Sequence, residues 1–517
     1  MGEPSVGVHD KWAAIHRHWP AVVLLFALLA AYAPTLSMPY LFMDDYKFVY
    51  ERGAAARTTQ FFTSIGRPLT AGYLLVCRQL LHQVGSHAAC YFLGIIGLWC
   101  LAIASYLWMI RCSVQRIDAA ILCFLIGVLP STQVYVGWMT AGSSTFAAAI
   151  ATVAIILFDR RRGADGTGET QPWLRASGAI LLLIIAQMIY QPAALYFWSM
   201  ALVGLLASET ATFRDITRRA LSYLAVGCTG IALYLIAYKL MLVVLGISAP
   251  DRAKPVGLQD VPGKMAWFFK DPLQNALSLF AHSPSRIIAA ATLVIIVAGL
   301  LVRGKLIAKH QRTLTGASSS SSRWYVVAAL LCVVAMIPLS YIFNLAVREQ
   351  WGSFRSVFAM ASVVVVLLFF GVHAIGSVLG PIGRVLPPRW ALAACALFAA
   401  LLCHQSLYRM MVFPQVVEFQ FMQFQISRAG LNDQTPIHII RPHWSQGVCT
   451  NVRYDEFNVP CSCQPWVPQQ MAVRALRDLG MNPNRTISHG TETEAIPPGV
   501  TVIDMRQMAG LQLKTRR

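Results

Sequence analysis

Two adjacent carboxylates, Asp44 and Asp45, follow directly on the first apolar run, in the stretch MDDYKFVYERG. Acidic residues are scarce, 23 Asp and Glu in 517 residues, and this pair is set among Tyr40, Phe42, Tyr46 and Phe48. An ionised carboxylate at an apolar boundary is costly without a partner or a task. The task that suits it is general-base catalysis, taking the proton of an acceptor hydroxyl while its oxygen attacks an electrophilic carbon. Neighbouring side chains diverge on a helix and oppose on a strand, so one Asp is the base and the other its tuner. A like charge nearby, or burial, raises the base's pKa. The plainer alternative is a solvated span end.

Gly66-Arg67-Pro68 holds a guanidinium between two turn-formers. That suits bidentate capture of a phosphate, and it also suits an ordinary exposed turn. Arg348 and Arg355, in NLAVREQWGSFRSVF, fall on the same side of the apolar runs. Together the three predict a seat for the phosphate of a lipid carrier. Lys264 and Lys270 flank Trp267, Phe268 and Phe269, a composition that suits the headgroup level, where the lysines reach lipid phosphate.

The elements that must position these groups are membrane spans. The chain is 56% hydrophobic and 13% charged, with a mean hydropathy of +0.55, too apolar for a water-soluble globule. Runs long enough to cross about 30 Å of hydrocarbon fall near 20–41, 87–110, 119–136, 142–158, 176–190, 192–207, 220–245, 286–302, 324–343, 357–379 and 391–407. This predicts an all-α polytopic protein of about eleven transmembrane helices. Short links at Ser131–Gly142 and Tyr190-Gln191-Pro192 allow re-entrant hairpins in place of full crossings. The first run carries a cleavage-like Ala31-Tyr32-Ala33, but Pro34 follows and the apolar run continues, so it is read as a retained span.

The formal net charge of +19 does not indicate nucleic acid, because the basic residues are scattered between apolar runs. They alternate from loop to loop: Lys11 and Arg17, Arg111 and Arg116, Arg160 to Arg175, Arg214 to Arg219, Arg303 to Arg312, Arg384 and Arg389. Read as inside loops, they place the N-terminus in the cytoplasm and the Asp44–Asp45 loop and the C-terminal tail outside. Two outer segments, about 43–86 and 246–285, show helical spacing and are expected to lie along the membrane. From about Tyr408 the chain turns polar, with β-type runs at Ile437–Ile440 and Val500–Ile503 and a helical pattern in Gln470–Leu479. Residues 1–407 are therefore read as the membrane domain and 408–517 as a small outer α/β domain. Nine of the twelve cysteines lie in or beside spans. Cys449, Cys461 and Cys463 lie in the outer domain, where one disulfide from Cys449 to either of the others is favoured over a metal site.

The ordered set Asp44-Asp45, GRPL at Gly66–Leu69, YQP at Tyr190–Pro192 and FRSVF at Phe354–Phe358 resembles the GtrII-type glucosyltransferases that modify O-antigen, within the GT-C class of membrane glycosyltransferases. The resemblance covers about the first four hundred residues. It implies transfer of a glucosyl or similar residue from an undecaprenyl-phosphate sugar to a hydroxyl of lipopolysaccharide O-antigen or another envelope glycan. The setting it implies is the periplasmic face of a bacterial inner membrane. It also implies Asp44 as base with Asp45 in support, and Arg67 and Arg355 near the donor phosphate. Tyr190 and Gln191 match the pattern as substrate contacts or as an interhelical pair. Lys47 could pair with Asp45, leaving Asp44 as the base. The outer domain departs from the pattern and offers His443–Gln446 and the Trp466 region for stacking on a sugar.

No cofactor is expected. A divalent metal on the two Asp carboxylates stays open, although a lipid-phosphate donor needs less charge neutralisation than a diphosphate. Two rival readings stay open as well. One is a lipid-linked glycan polymerase, which would depend on its arginines and tolerate loss of Asp44. The other is a lipid or glycan transporter, which would need ionisable residues within the spans.

Overall fold

The computed structural model describes residues 8–51, 53–159, 171–207, 213–315, 334–379, 388–432, 434–443, 455–492, 494 and 496–508. The chain is a polytopic helical membrane protein carrying a small C-terminal α/β unit. Among the described residues eight helices are long and apolar enough to cross a bilayer: Trp19–Ser37, His87–Arg111, Met139–Phe158, Pro172–Ala194, Arg214–Leu245, Arg286–Ile307, Phe354–Val378 and Arg389–Arg428. Arg116–Gly127 and Pro130–Gly137 form a pair bent by 65°, which brings the number to nine if that pair is one span.

These nine account for all but two of the expected eleven runs. The run at 192–207 is a shorter apolar helix, Tyr196–Leu206. The run at 324–343 lies largely outside the described residues.

The two short links differ as their sequences do. At 190–192, Pro192 lacks a helical N–H and crowds the preceding turn. Tyr190 takes φ −155° and ψ 109°, and the helix breaks there. At 130–142, Pro130 starts a new helix at its first turn and Gly137 ends it. A single 3-10 turn, Met139–Ala141, then leads into Ser143–Phe158.

Helix packing follows the rule of small residues at close approaches. A Cβ on Gly299 would lie 2.2 Å from the Cα of Gly371, so the Arg286–Thr315 and Phe354–Val378 helices meet backbone to backbone. The helix Phe354–Val378 is the most enclosed of the spans, 78% of its apolar window being buried. Arg214–Leu245 is the least enclosed, at 11%, and turns Leu240, Val243 and Val244 outward as a lipid-facing helix does.

The expected outer segment 43–86 forms three helices, Asp44–Tyr50, Ala54–Ser64 and Pro68–Val84. The segment 246–285 holds Val261–Lys270 and Pro272–Leu277. Helix Pro388–Ser406 continues through a π-helical stretch, Leu407–Val412, into Phe413–Arg428, so residues 407 and 408 lie within one helical rod.

Beyond it, strands β1 (Ile437–Ile440), β2 (Ile487–Gly490) and β3 (Thr501–Asp504) form a parallel sheet in the order β2-β1-β3, with helix Pro468–Asp478 beside it. The first and third strands and the helix match the sequence pattern. Strand β2, of sequence ISHG, carries one apolar side chain and left no periodic signal.

Introducing Gly371→Leu at the 299–371 contact overpacks it by several atoms, at a cost of about 1–3 kcal/mol. The thermal midpoint of the detergent-solubilised protein should fall, and an unchanged midpoint would show that the helices do not meet here.

Candidate functional site

Asp45 is fully buried at the start of helix Asp44–Tyr50. Its Oδ2 accepts from the backbone N–H of Phe42 at 3.0 Å. Its Oδ1 accepts from the backbone N–H and the hydroxyl of Thr140, at 2.9 and 2.6 Å. Burial pushes its pKa up to about 7, while the Thr140 and Phe42 donors pull the other way.

Aromatic contacts lock the same two links together. The Tyr40 hydroxyl donates to the Gly137 carbonyl at 2.7 Å. Its ring stacks on Tyr91 at 4.5 Å, and Phe42 meets Trp138 edge-on at 5.2 Å. Asp45 is thus a structural clamp with both oxygens engaged. Among the described residues no group of three or more His, Cys, Asp or Glu side chains is placed to hold a metal ion.

Asp44, one residue earlier, is half-buried and faces the other way. Burial raises its pKa, and Arg355, the Trp466 indole N–H, Lys47 and Arg252 oppose that rise. Lys47 therefore bears on Asp44, and it is not among the groups that set Asp45. Met43, which turns the chain into this helix, has φ 42°, a left-handed value that costs a non-glycine residue of order 1–3 kcal/mol. Its N–H donates to Cys461 Sγ at 2.9 Å.

The GRP turn is built from behind. Gly66 has φ +76°, and a Cβ there would lie 2.3 Å from the Tyr234 hydroxyl, so the position admits only glycine. Gln191 Nε2 donates to the Ile65 and Gly66 carbonyls at 3.1 and 3.3 Å. Tyr234 and Tyr238 donate to the Gly66 and Ser64 carbonyls at 3.0 and 2.6 Å. Arg67 Nε donates to Gln191 Oε1 at 2.7 Å, and its guanidinium lies 4.4 Å over the Tyr190 ring. Burial pulls Arg67 below its ordinary pKa, and Arg252 and Arg355 add like-charge repulsion. The break at Tyr190 thus aims one aromatic ring and one amide at a single arginine.

Arg355 opens helix Phe354–Val378. Its guanidinium lies 4.4 Å over Trp138 and its Nε is 3.3 Å from Glu456 Oε1. Asp44, Tyr190 and Asp455 also act on it electrostatically. Arg348, expected beside it, is exposed, and its backbone N–H donates to the Lys254 carbonyl at 2.8 Å. Lys264 departs from the expected headgroup contact. It is buried, lies 4.2 Å over Trp267, donates to the Glu349 carbonyl at 2.6 Å, and has its pKa lowered to about 8 by burial. Phe268 is turned inward as well, and Phe269 is exposed.

Four contributors were missed from sequence. Thr140 and Trp138 lie in the link at 131–142, which was read for its length alone and not for its polar side chains. Arg252 acts on both Asp44 and Arg67. Glu456 comes from the tail, where Asp455-Glu456 repeats the acidic doublet of the first loop. Burial and Asp455 push Glu456 well above the usual carboxylate range, and Arg355 opposes this.

Cys449, Trp444, Ser445 and Gln446 lie outside the described residues, and with them the expected disulfide and most of the sugar-stacking guess. Trp466 is described, exposed, and directed at Asp44.

No protein-family profile and no curated protein matches the chain. Similar solved structures include the Archaeoglobus fulgidus oligosaccharyltransferase tethered to an acceptor peptide, at 13% identity and a TM-score of 0.37, over 84% of this chain and 62% of that one. The same organism's oligosaccharyltransferase AglB, with an inhibitory peptide and a dolichol-phosphate, shows 12% identity and a TM-score of 0.36, over 90% of this chain and 69% of that one. At TM-scores below 0.5 the likeness assigns no residue a role.

Thr140→Val removes one hydroxyl donor from a buried carboxylate, worth about 1.5–3 kcal/mol. The thermal midpoint should drop, with Thr140→Ser close to wild type. Equal midpoints for all three proteins would contradict the clamp.

Proposed function

We propose that the protein is a membrane glycosyltransferase that moves a hexose, glucose first among candidates, from a polyprenyl-phosphate sugar to a hydroxyl of O-antigen, lipopolysaccharide or another envelope glycan. The observation that carries the reading is one half-buried carboxylate, Asp44, on which Arg355 and Arg252 act, with Arg67 coupled to both of those arginines and all three guanidinium groups lying over aromatic rings. A base facing a phosphate seat is what transfer from a lipid phosphate to a hydroxyl needs.

In the proposed step the acceptor hydroxyl gives its proton to Asp44 while its oxygen bonds to the anomeric carbon. The bond from that carbon to the phosphate oxygen breaks, and its electron pair stays with the lipid phosphate. Arg355 and Arg67 stabilise the charge that develops there. One base with no second positioned nucleophile implies inversion at the anomeric carbon. Undecaprenyl phosphate as carrier, and the periplasmic face of a bacterial inner membrane as location, belong to this proposal. They rest on the GtrII resemblance and on the loop charges.

Mass spectrometry of envelope polysaccharide from cells expressing wild type, Asp44→Asn and Arg355→Gln at matched membrane levels tests the reading. A hexose increment should appear with wild type and vanish in both variants. An increment that survives Asp44→Asn would favour a polymerase, and no increment in any strain would favour a transporter.

The base also predicts a pH profile. Asp44 must be ionised to act, and its pKa is raised, so kcat/KM should fall on the acid side through a point above the ordinary carboxylate value of about 4. Lys47 favours the ionised form. Lys47→Met should therefore move that acid limb to higher pH, and a limb that stays put would argue against Asp44 as the titrating base.

A further inference from the structure

Arg355 already has a carboxyl partner, and the ion pair between them opposes the pull of burial and of Asp455 toward the neutral acid. Glu456 is buried, with Oε1 at 3.3 Å from Arg355 Nε. Three consecutive residues deliver it. Asp455 Oδ2 accepts from the backbone N–H of Phe354 at 2.5 Å, at the start of the helix that carries Arg355. Phe457 packs on Phe354 at 5.5 Å and on His282 at 4.6 Å. Glu456, between them, shares a side-chain hydrogen bond with Asp455 and turns Oε1 toward Arg355. The other titratable groups acting on Glu456 or on its partner include Arg67, Asp44, Asp455, Tyr135 and Tyr190. A buried carboxyl paired with an arginine competes with whatever anion approaches the same arginine.

Resting on the donor reading above, we propose that Glu456 is the built-in counter-ion of the phosphate seat and sets the charge that the seat tolerates. A sugar phosphodiester carries one negative charge. When the bond to the anomeric carbon breaks, the electron pair left on the phosphate oxygen gives the monoester a second negative charge, and Asp44 takes up the acceptor proton. Total charge is conserved through the step.

Once Asp44 passes its proton to water, the seat holds one negative charge more than before, beside a fixed Glu456. Like-charge repulsion at this range disfavours the doubly charged monoester. The phosphodiester donor is retained and the spent lipid phosphate is expelled. Glu456 is on this account a positioning and specificity residue that works through Arg355, contributed by the C-terminal unit.

The test is binding of farnesyl phosphate, a phosphate monoester on a short polyprenyl chain, to the full-length protein in detergent by calorimetry. Glu456→Gln should bind it roughly tenfold more tightly, one pKa unit's worth of charge interaction. Glu456→Asp, which keeps the charge, should stay near wild type, whereas a merely structural role would leave Gln the better tolerated of the two and tighten nothing. In an Arg355→Gln background the gain from Gln should vanish.

Arg355-dependent binding by wild type with unchanged or weaker binding by Glu456→Gln would overturn the counter-ion role and leave the donor reading standing. No binding by wild type or any variant would remove the donor reading, and this inference with it.

Discussion

The candidate site depends on one buried carboxylate whose two oxygens are both taken up by donors of the fold. Asp45 ties the link after the first span to the turn at Thr140, two stretches 95 residues apart in sequence. That tie adds to the contacts of Tyr40, Phe42 and Met43 in setting the azimuth of helix Asp44–Tyr50, and with it the direction of Asp44. The tie is strong because it is dry. Three donors converge on two oxygens with no water to compete, and a charged acceptor in that setting is worth more than a neutral one. Since adjacent side chains on a helix diverge, fixing Asp45 inward against Thr140 fixes Asp44 outward toward Arg355 and Trp466. The doublet thus pairs a fixed carboxylate with one turned toward the arginines, and the two positions are not interchangeable.

The arginines show a similar division between support and work. An unsolvated guanidinium is expensive, and cations crowded together repel. The chain meets that cost with aromatic faces, Tyr190 under Arg67 and Trp138 under Arg355, which offer negative quadrupole without a full counter-charge. Gln191 adds a neutral acceptor to Arg67. At Arg355 a carboxyl, Glu456, is brought close as well.

The legible part of this architecture was what periodicity and charge record. Long apolar runs mark most of the spans, and the acidic doublet stands out because acids are rare in this chain. The role of Asp45 as the fixed member was legible only as a choice between two, because which of them faces Thr140 is decided by tertiary contact. Thr140 and Trp138 carried no signal of their own. A threonine and a tryptophan in an apolar link look like filling until a carboxylate is placed against them. Lys264 misled for the opposite reason. Beside Trp267 and Phe269 it has the composition of an interfacial anchor, but the Glu349 carbonyl 85 residues away takes its ammonium inward. Local composition cannot see a partner at that distance.

The least legible feature is that the C-terminal unit belongs to the site. Composition marks a change of character near Tyr408, yet the helical rod runs on to Arg428 and carries Glu418 to the Cys461–Cys463 turn. There Glu418 accepts from the N–H groups of Cys461 and Ser462 at 2.7 and 2.8 Å. That turn in turn receives the Met43 N–H on Cys461 Sγ, across 418 residues of sequence. Closing so long a loop carries an entropic cost that rises only slowly with length, but contacts of that separation are among the last to form. The strained φ of Met43 is then sustained from both sides, by Asp45 within its own helix and by Cys461 from the far end of the chain. A carboxylate and an arginine cluster that could bind anions indiscriminately are thereby assembled only when both ends of the protein are in place.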